Sequence, residues 1–136
     1  MREIKFRAWH KEQQRMYSAE EMGQDQLTLM PDGRGFVNIS GCATSLSQID
    51  NGRKMIPLQY TGRKDKNGVE IYEGDIVKAR SKYVNAVYEV YWDEQGCQFR
   101  CCANHDKQFD KTHLMNWADE VIDNIYENPE LVETKL

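Results

Sequence analysis

Apolar residues recur at every second position through much of this chain, in short runs broken by turn-forming residues. Ile4, Phe6 and Ala8 alternate with Lys5, Arg7 and Trp9, the period-two pattern of a strand with one face buried. A polar turn at 10–14 leads to Arg15-Met16-Tyr17 as a short partner strand. Ser18 ahead of Glu20, Glu21 and Met22 predicts a helical turn with Ser18 as its cap. Leu27–Met30 and Phe36–Ile39 flank Pro31-Asp32-Gly33-Arg34-Gly35, so two β-prone runs and a turn predict a hairpin. Residues 40–54, rich in Ser, Gly, Asn and Asp, read as a loop with at most one helical turn.

The second half repeats the alternation. Ile56, Leu58 and Tyr60 share one face of a strand over 55–62 that Pro57 interrupts near its start. Asp65-Lys66-Asn67-Gly68 suits a type I turn closed at positive φ by Gly68, leading into Val69-Glu70-Ile71-Tyr72. Glu73-Gly74-Asp75 turns the chain into Ile76–Arg80. In 83–92, Val84, Ala86, Tyr88, Val90 and Trp92 then share one face, and Val87, Glu89 and Tyr91 the other. Asp93–Gly96 closes a further hairpin onto Cys97–Cys101. Val121–Tyr126 is another strand, and Asn128 caps a terminal helical turn over 128–134 that starts at Pro129. The prediction is a mainly β single domain over 1–136. It comprises N-terminal strands in 1–55, an antiparallel meander resembling a small SH3-like barrel in about 56–126, and short helices. That architectural likeness carries no function with it.

Composition narrows the class. With 136 residues, a net charge of -4 and 40% hydrophobic residues, the chain can bury roughly two-thirds of its unfolded surface and needs no metal or disulfide to hold a core. Its apolar runs are far shorter than the roughly 20 residues of a spanning helix. The alternating N-terminus offers no secretory stretch, so a cytoplasmic protein with free thiols is expected. Charge is polarised, with Lys+Arg outnumbering Asp+Glu in residues 1–68 and the reverse in 69–136, so phosphate contacts would come from the first half.

Three constellations carry candidate chemistry. Arg53, Lys54, Arg63, Lys64 and Lys66 surround Tyr60, and cations beside one aromatic could contact phosphates while the ring stacks on a base or meets a protein partner. Solvated loops around a core tyrosine explain the same residues, and the acidic chain favours that reading. Cys97, Cys101, Cys102, His105 and His113 have zinc-ligand composition, but three residues separate Cys97 from Cys101, and adjacent Cys102 must face the other way on a strand. No metal site is assigned. Cys101, His113 and Asp110 could be drawn as a nucleophile set without any motif behind them. Glu70, Glu73 and Asp75 bracket a turn that Asp75 stabilises by bonding to backbone. Gly33-Arg34-Gly35 sits inside a hairpin, so no phosphate-binding loop is present and no cofactor is implied. The acidic 106–136 segment, with Trp117, Val121, Ile125 and Leu131, suits a protein interface or the core.

Four blocks in order resemble the YopX-like family of phage and prophage proteins. They are Arg2–Trp9, Gln59–Gly62 with Asp65–Gly68, Ile71–Val77, and Asn124–Leu131. The resemblance implies a small phage- or prophage-encoded cytoplasmic protein, self-associating, with no catalytic residues and an activity not known. Residues 18–55 and 93–118, with all four cysteines, fall where such proteins look most dissimilar. Asp123 stands where the family pattern would have glycine. The expectation is a non-enzymatic, self-associating module that binds a host or phage macromolecule, without membrane association. The alternatives are a nucleic-acid binder using the basic loops around Tyr60, or a small Cys/His metal-binding protein.

Overall fold

The computed structural model describes residues 3–39, 52–79, 87–102, 111–113 and 118–132. The chain is mainly β and forms two compact units, one of residues 3–59 and one of residues 60–136 with 1–2.

In the first unit, β1 (Phe6–His10) pairs antiparallel with β2 (Arg15–Tyr17) on one side and with the opening half of β5 (Met55–Lys64) on the other. Ala8 faces Tyr17 across one ladder and Pro57 across the other. Pro57 has no N–H to donate, and the ladder of β5 with the following strand begins only at Tyr60. The expected cap is present before α1 (Ala19–Gln24): Ser18 Oγ accepts the Glu21 N–H at 3.1 Å, and Glu21 Oε1 accepts the Ser18 N–H at 3.4 Å. A helix this short cannot persist on propensity alone. It is held by Met22, which packs into a core of Ala8, Phe36 and Met55. The expected hairpin is β3 (Leu27–Leu29) against β4 (Phe36–Asn38), with Leu29 opposite Phe36.

Two local expectations fail here. Alternation puts Trp9 on an open face and the polar run puts His10 in a turn, yet they are only 5% and 2% exposed. β1 is flanked by strands on both sides, and His10 sits in both ladders, opposite Arg15 and opposite Met55. Residues 40–51 of the expected loop lie outside the described residues.

In the second unit the described strands are the end of β5, then β6 (Glu70–Tyr72), β7 (Asp75–Ala79), β8 (Val87–Asp93), β9 (Gln98–Cys102), β10 (Lys111–His113) and β11 (Ala118–Asn124). β6 pairs with the end of β5, Tyr60 opposite Tyr72. The other five form an antiparallel sheet in the order β10-β9-β8-β7-β11. Ile71, Val77, Tyr88, Val90 and Cys101 make its core, with Phe99 and Val121 packed against it.

The expected strand over 83–92 is described from Val87, and its two-faced pattern needs correction. Glu89 and Tyr91 are buried as well as Tyr88 and Val90, while Trp92 is 43% exposed and meets Phe99 edge-on at 4.9 Å. In the β8–β9 turn, Cys97 takes the left-handed conformation, φ 50°, beside a glycine that could have done so without strain. The last strand ends at Asn124, and a 3-10 turn follows at Pro129–Val132. The Asn128 carbonyl accepts the Leu131 N–H, but its side chain donates to Asp123 Oδ2 rather than capping the turn. No helix among the described residues is long and apolar enough to cross a membrane.

Candidate functional site

The first unit contains a cavity of about 420 Å³. Its walls follow from the local chemistry of the chain. β1 ends at His10, and the tight turn beyond it brings Gln13 back so that the Gln13 N–H donates to His10 Nδ1 at 3.2 Å. Tyr17 sits one strand over, its ring 6.4 Å from the imidazole and its hydroxyl donating to Gln13 Oε1. Asp25 at the C-terminal end of α1 and Asn38 of β4 form another wall, tied by an Asn38 Nδ2 bond to the Asp25 carbonyl at 3.0 Å. Leu27, Phe36 and Met55 supply the apolar lining. Gly52 adds backbone to the lining: a Cβ there would stand 1.7 Å from the Phe36 carbonyl oxygen, so only glycine permits this approach.

The bond from Gln13 fixes the state of His10. An imidazole nitrogen that accepts an N–H carries no proton, so the neutral ring bears its hydrogen on Nε2. That Nε2 is buried and has no hydrogen-bond partner among the described residues. A buried donor left unmade costs about 1–3 kcal/mol. The cavity lining holds three rings and two amides, and Asp25 is its one formal charge among the described residues. Nearby cations are engaged elsewhere. The Arg15 guanidinium lies 4.1 Å over the Tyr17 ring and pairs with Glu21, and Lys54 pairs with Glu12 at 2.8 Å. The Lys54 ammonium, by hydrogen bond and by charge, holds the Glu12 carboxyl below the usual range.

None of these lining groups was singled out by sequence reasoning. The available signal was His10 at the end of an alternating strand whose odd and even positions both carry large groups.

The basic residues around Tyr60 divide between the units. Arg53 is exposed and Lys54 half-buried in the first; Arg63, Lys64 and Lys66 are exposed in the second. Lys66 lies 3.9 Å from Glu120. Tyr60 is 5% exposed, with its ring 5.5 Å from that of Tyr72. It therefore belongs to the core and offers no face for a stacked base.

The acidic residues near the turns are structural. Asp65 Oδ1 accepts the N–H groups of Asn67 and Val69 at 2.8 and 2.9 Å, and Oδ2 accepts that of Val121 at 2.9 Å. Burial pushes this carboxyl up, but the three backbone donors outweigh it and hold the group below its ordinary value. Asp75, as expected, bonds to backbone, accepting the Tyr72 N–H at 2.8 Å. Gly74, φ 85°, lies against Tyr126, whose Cε2 would be 2.7 Å from an added Cβ, and the Gly74 carbonyl accepts the Ile125 N–H. Asn124 Oδ1 accepts the N–H groups of Tyr126 and Glu127. The 71–77 and 124–131 blocks thus meet and hold each other.

Of the cysteine–histidine constellation, Cys97 is exposed while Cys101 and Cys102 are buried. Neighbours on β9, they face opposite sides: Cys101 opposite Val90 in the apolar core, Cys102 opposite Glu89. Cys102 Sγ donates to Glu89 Oε2 at 3.7 Å. Cys42, His105, Asp110 and the His113 side chain lie outside the described residues. Among the described residues no three His, Cys, Asp or Glu side chains are placed to hold a metal. The same side of β8–β9 carries a buried polar strip that sequence reasoning missed. In it the Arg100 Nε to Asp93 Oδ2 ion pair is 2.9 Å long, and the Tyr91 hydroxyl is pushed up to about 12, by burial first and then by Cys102 and Asp93.

Comparison with known proteins matches this chain to others of its shape. The solved structure of protein EF1440 from Enterococcus faecalis is 26% identical, with 98% of this chain and 100% of that chain covered and a TM-score of 0.62. Protein yopX from Bacillus subtilis is 22% identical over 100% of both chains, with a TM-score of 0.60, a likeness of fold. No curated protein matches the chain. The family model described as YopX protein matches residues 5–133. With nearly the whole length matched, the chain belongs to the YopX family.

Proposed function

We propose that this protein is a non-enzymatic, self-associating binding module, phage- or prophage-encoded and cytoplasmic, that takes a ligand or a partner's protruding group in the cavity of its first unit. The observation that carries the reading is the cavity itself: about 420 Å³, with aromatic and amide walls. Such a mixture of apolar surface and a few polar groups is the usual make-up of a small-ligand site, and the volume is within the usual range of roughly 300–1,000 Å³. In this reading the carboxylates at the turns serve backbone bonding and the second unit, a meander with β11 returning to β7, is a small SH3-like barrel. Self-association follows from the family resemblance and from the edge strands of an antiparallel sheet, which a second copy can cover.

A nuclear magnetic resonance titration of the full chain with indole, a small apolar probe with one donor, tests the cavity. Saturable shifts confined to His10, Tyr17, Phe36 and Met55 are expected, and their absence would refute the reading. Light scattering tests self-association, and a monomer mass at high concentration would refute that part.

A further inference from the structure

We propose that Asn67 is a self-modification site, where the side-chain amide closes on the Gly68 nitrogen, expels ammonia and leaves aspartate or isoaspartate at the tip of the turn between β5 and β6.

Cyclisation of this kind needs a free side-chain amide, an N–H on the next residue and no bulk there to block the approach. The described asparagines are Asn38, Asn67, Asn124 and Asn128. Asn38 donates its amide to the Asp25 carbonyl at 3.0 Å, and β-branched Ile39 follows it. Asn124 is 9% exposed, its Oδ1 accepts the N–H groups of Tyr126 and Glu127, and Ile125 follows it. Asn128 donates its amide to Asp123 Oδ2 and precedes Pro129, which has no N–H. Asn67 is exposed, and its side chain is tied to none of the described residues. Gly68 follows at φ 82°, and even a Cβ there would meet nothing within 4 Å. Asn67 therefore meets every requirement, whereas the other described asparagines are held by hydrogen bonds and followed by a branched residue or a proline.

Water is the only co-reactant. Resonance in the peptide group leaves the Gly68 nitrogen unreactive until base removes its proton. The nitrogen then bonds to Asn67 Cγ, the Cγ–Nδ2 bond breaks, and ammonia departs to leave a succinimide ring. Water that opens the ring at Cγ gives aspartate. Opening at the main-chain carbonyl gives isoaspartate, whose backbone runs through the side chain and is longer by one methylene. The fold sets the pace. The Gly68 N–H is held by the Asp65 carbonyl at 3.1 Å, and Asp65 Oδ1 holds the N–H groups of Asn67 and Val69, so the nitrogen is released only when this turn opens. Once isoaspartate forms, the longer backbone separates the two N–H groups that share Asp65 Oδ1, and the turn that reaches Val121 is weakened.

Full-length protein aged for weeks at mildly alkaline pH, native and in urea, is digested, and each asparagine is followed by fragmentation mass spectrometry. Native protein is expected to convert Asn67 into two products, one co-eluting with the same peptide from an Asn67→Asp protein, while Asn38, Asn124 and Asn128 stay intact. In urea the conversion should be several-fold faster, and there Gly68→Ala should slow it several-fold. Native Asp65→Asn protein should convert faster than native wild type, and aged wild type should unfold at lower urea than fresh. Native conversion at Asn67 no faster than at Asn38 or Asn124 would overturn the assignment. Aspartate without isoaspartate, or a Gly68→Ala chain as fast as wild type in urea, would mean direct hydrolysis and overturn the ring. Equal rates in native and urea-unfolded wild type would overturn control by the Asp65 turn, whether or not Asp65→Asn folds.

Discussion

The Asp65 carboxylate accepts the backbone N–H of Val121 at 2.9 Å, joining residues 56 apart in sequence. The same side chain closes its own turn through Asn67 and Val69, so one carboxylate shapes a tight turn and ties it to β11. Asp65→Asn replaces an acceptor oxygen by an amide that cannot receive an N–H. A loss of about 1–3 kcal/mol in urea unfolding is expected at neutral pH, and an unchanged midpoint would contradict the role assigned here.

The same residue predicts a pH dependence. Its folded pKa is lowered, so the ionised carboxylate stabilises the fold above the unfolded value, and that contribution disappears as pH falls through the folded one. The stability gap between wild type and Asp65→Asn should therefore be full at pH 7 and shrink on acidification below about pH 4. A gap that widened on acidification would have the wrong sign for this carboxylate.

Gly74 and Gly68 both have positive φ, 85° and 82°, but only Gly74 has a neighbour in the way. Gly68→Ala should cost about 1–2 kcal/mol, the backbone penalty alone. Gly74→Ala adds a clash with the Tyr126 ring and should cost more, by a further 1–3 kcal/mol or so. Thermal denaturation of the two variants gives the comparison directly, and equal losses would show that Tyr126 moves aside freely.

Thiol exposure separates the three described cysteines. Cys97 should react with Ellman's reagent in the native protein, and Cys97→Ser should remove that phase. Cys101 and Cys102, both 0% exposed, should react only on unfolding. Rapid native labelling at either would mean that β9 opens readily.

Much of the fold was legible because the physics behind it is local. Alternation found β1 and β8, turn chemistry found the hairpin of Leu29 and Phe36, and Ser18 was legible as the cap of α1. The buried sides of β1 and β8 were not legible, because alternation marks one apolar face and does not report that Trp9, Glu89 and Tyr91 on the other are buried too. The candidate site was hidden for the same reason: His10, Asp25, Phe36 and Met55 come from four elements, and no spacing rule links them. Tyr60 follows the reading that the acidic chain favoured, its ring in the core while Arg53, Arg63, Lys64 and Lys66 stay exposed.

The polar strip on β8 and β9 also acts as a count of residues. Glu89 faces Cys102, Tyr91 faces Arg100 and Asp93 faces Gln98, while Val90 and Cys101 face the apolar core. Sliding β8 by one position against β9 would turn Glu89 toward Ile71 and Val77 and bring Val90 to the side of Arg100, stranding a carboxylate among hydrocarbons. A strand apolar on both sides would tolerate that error. Here a slip by one residue is penalised, so the buried polar groups act as a proofreading device for strand pairing.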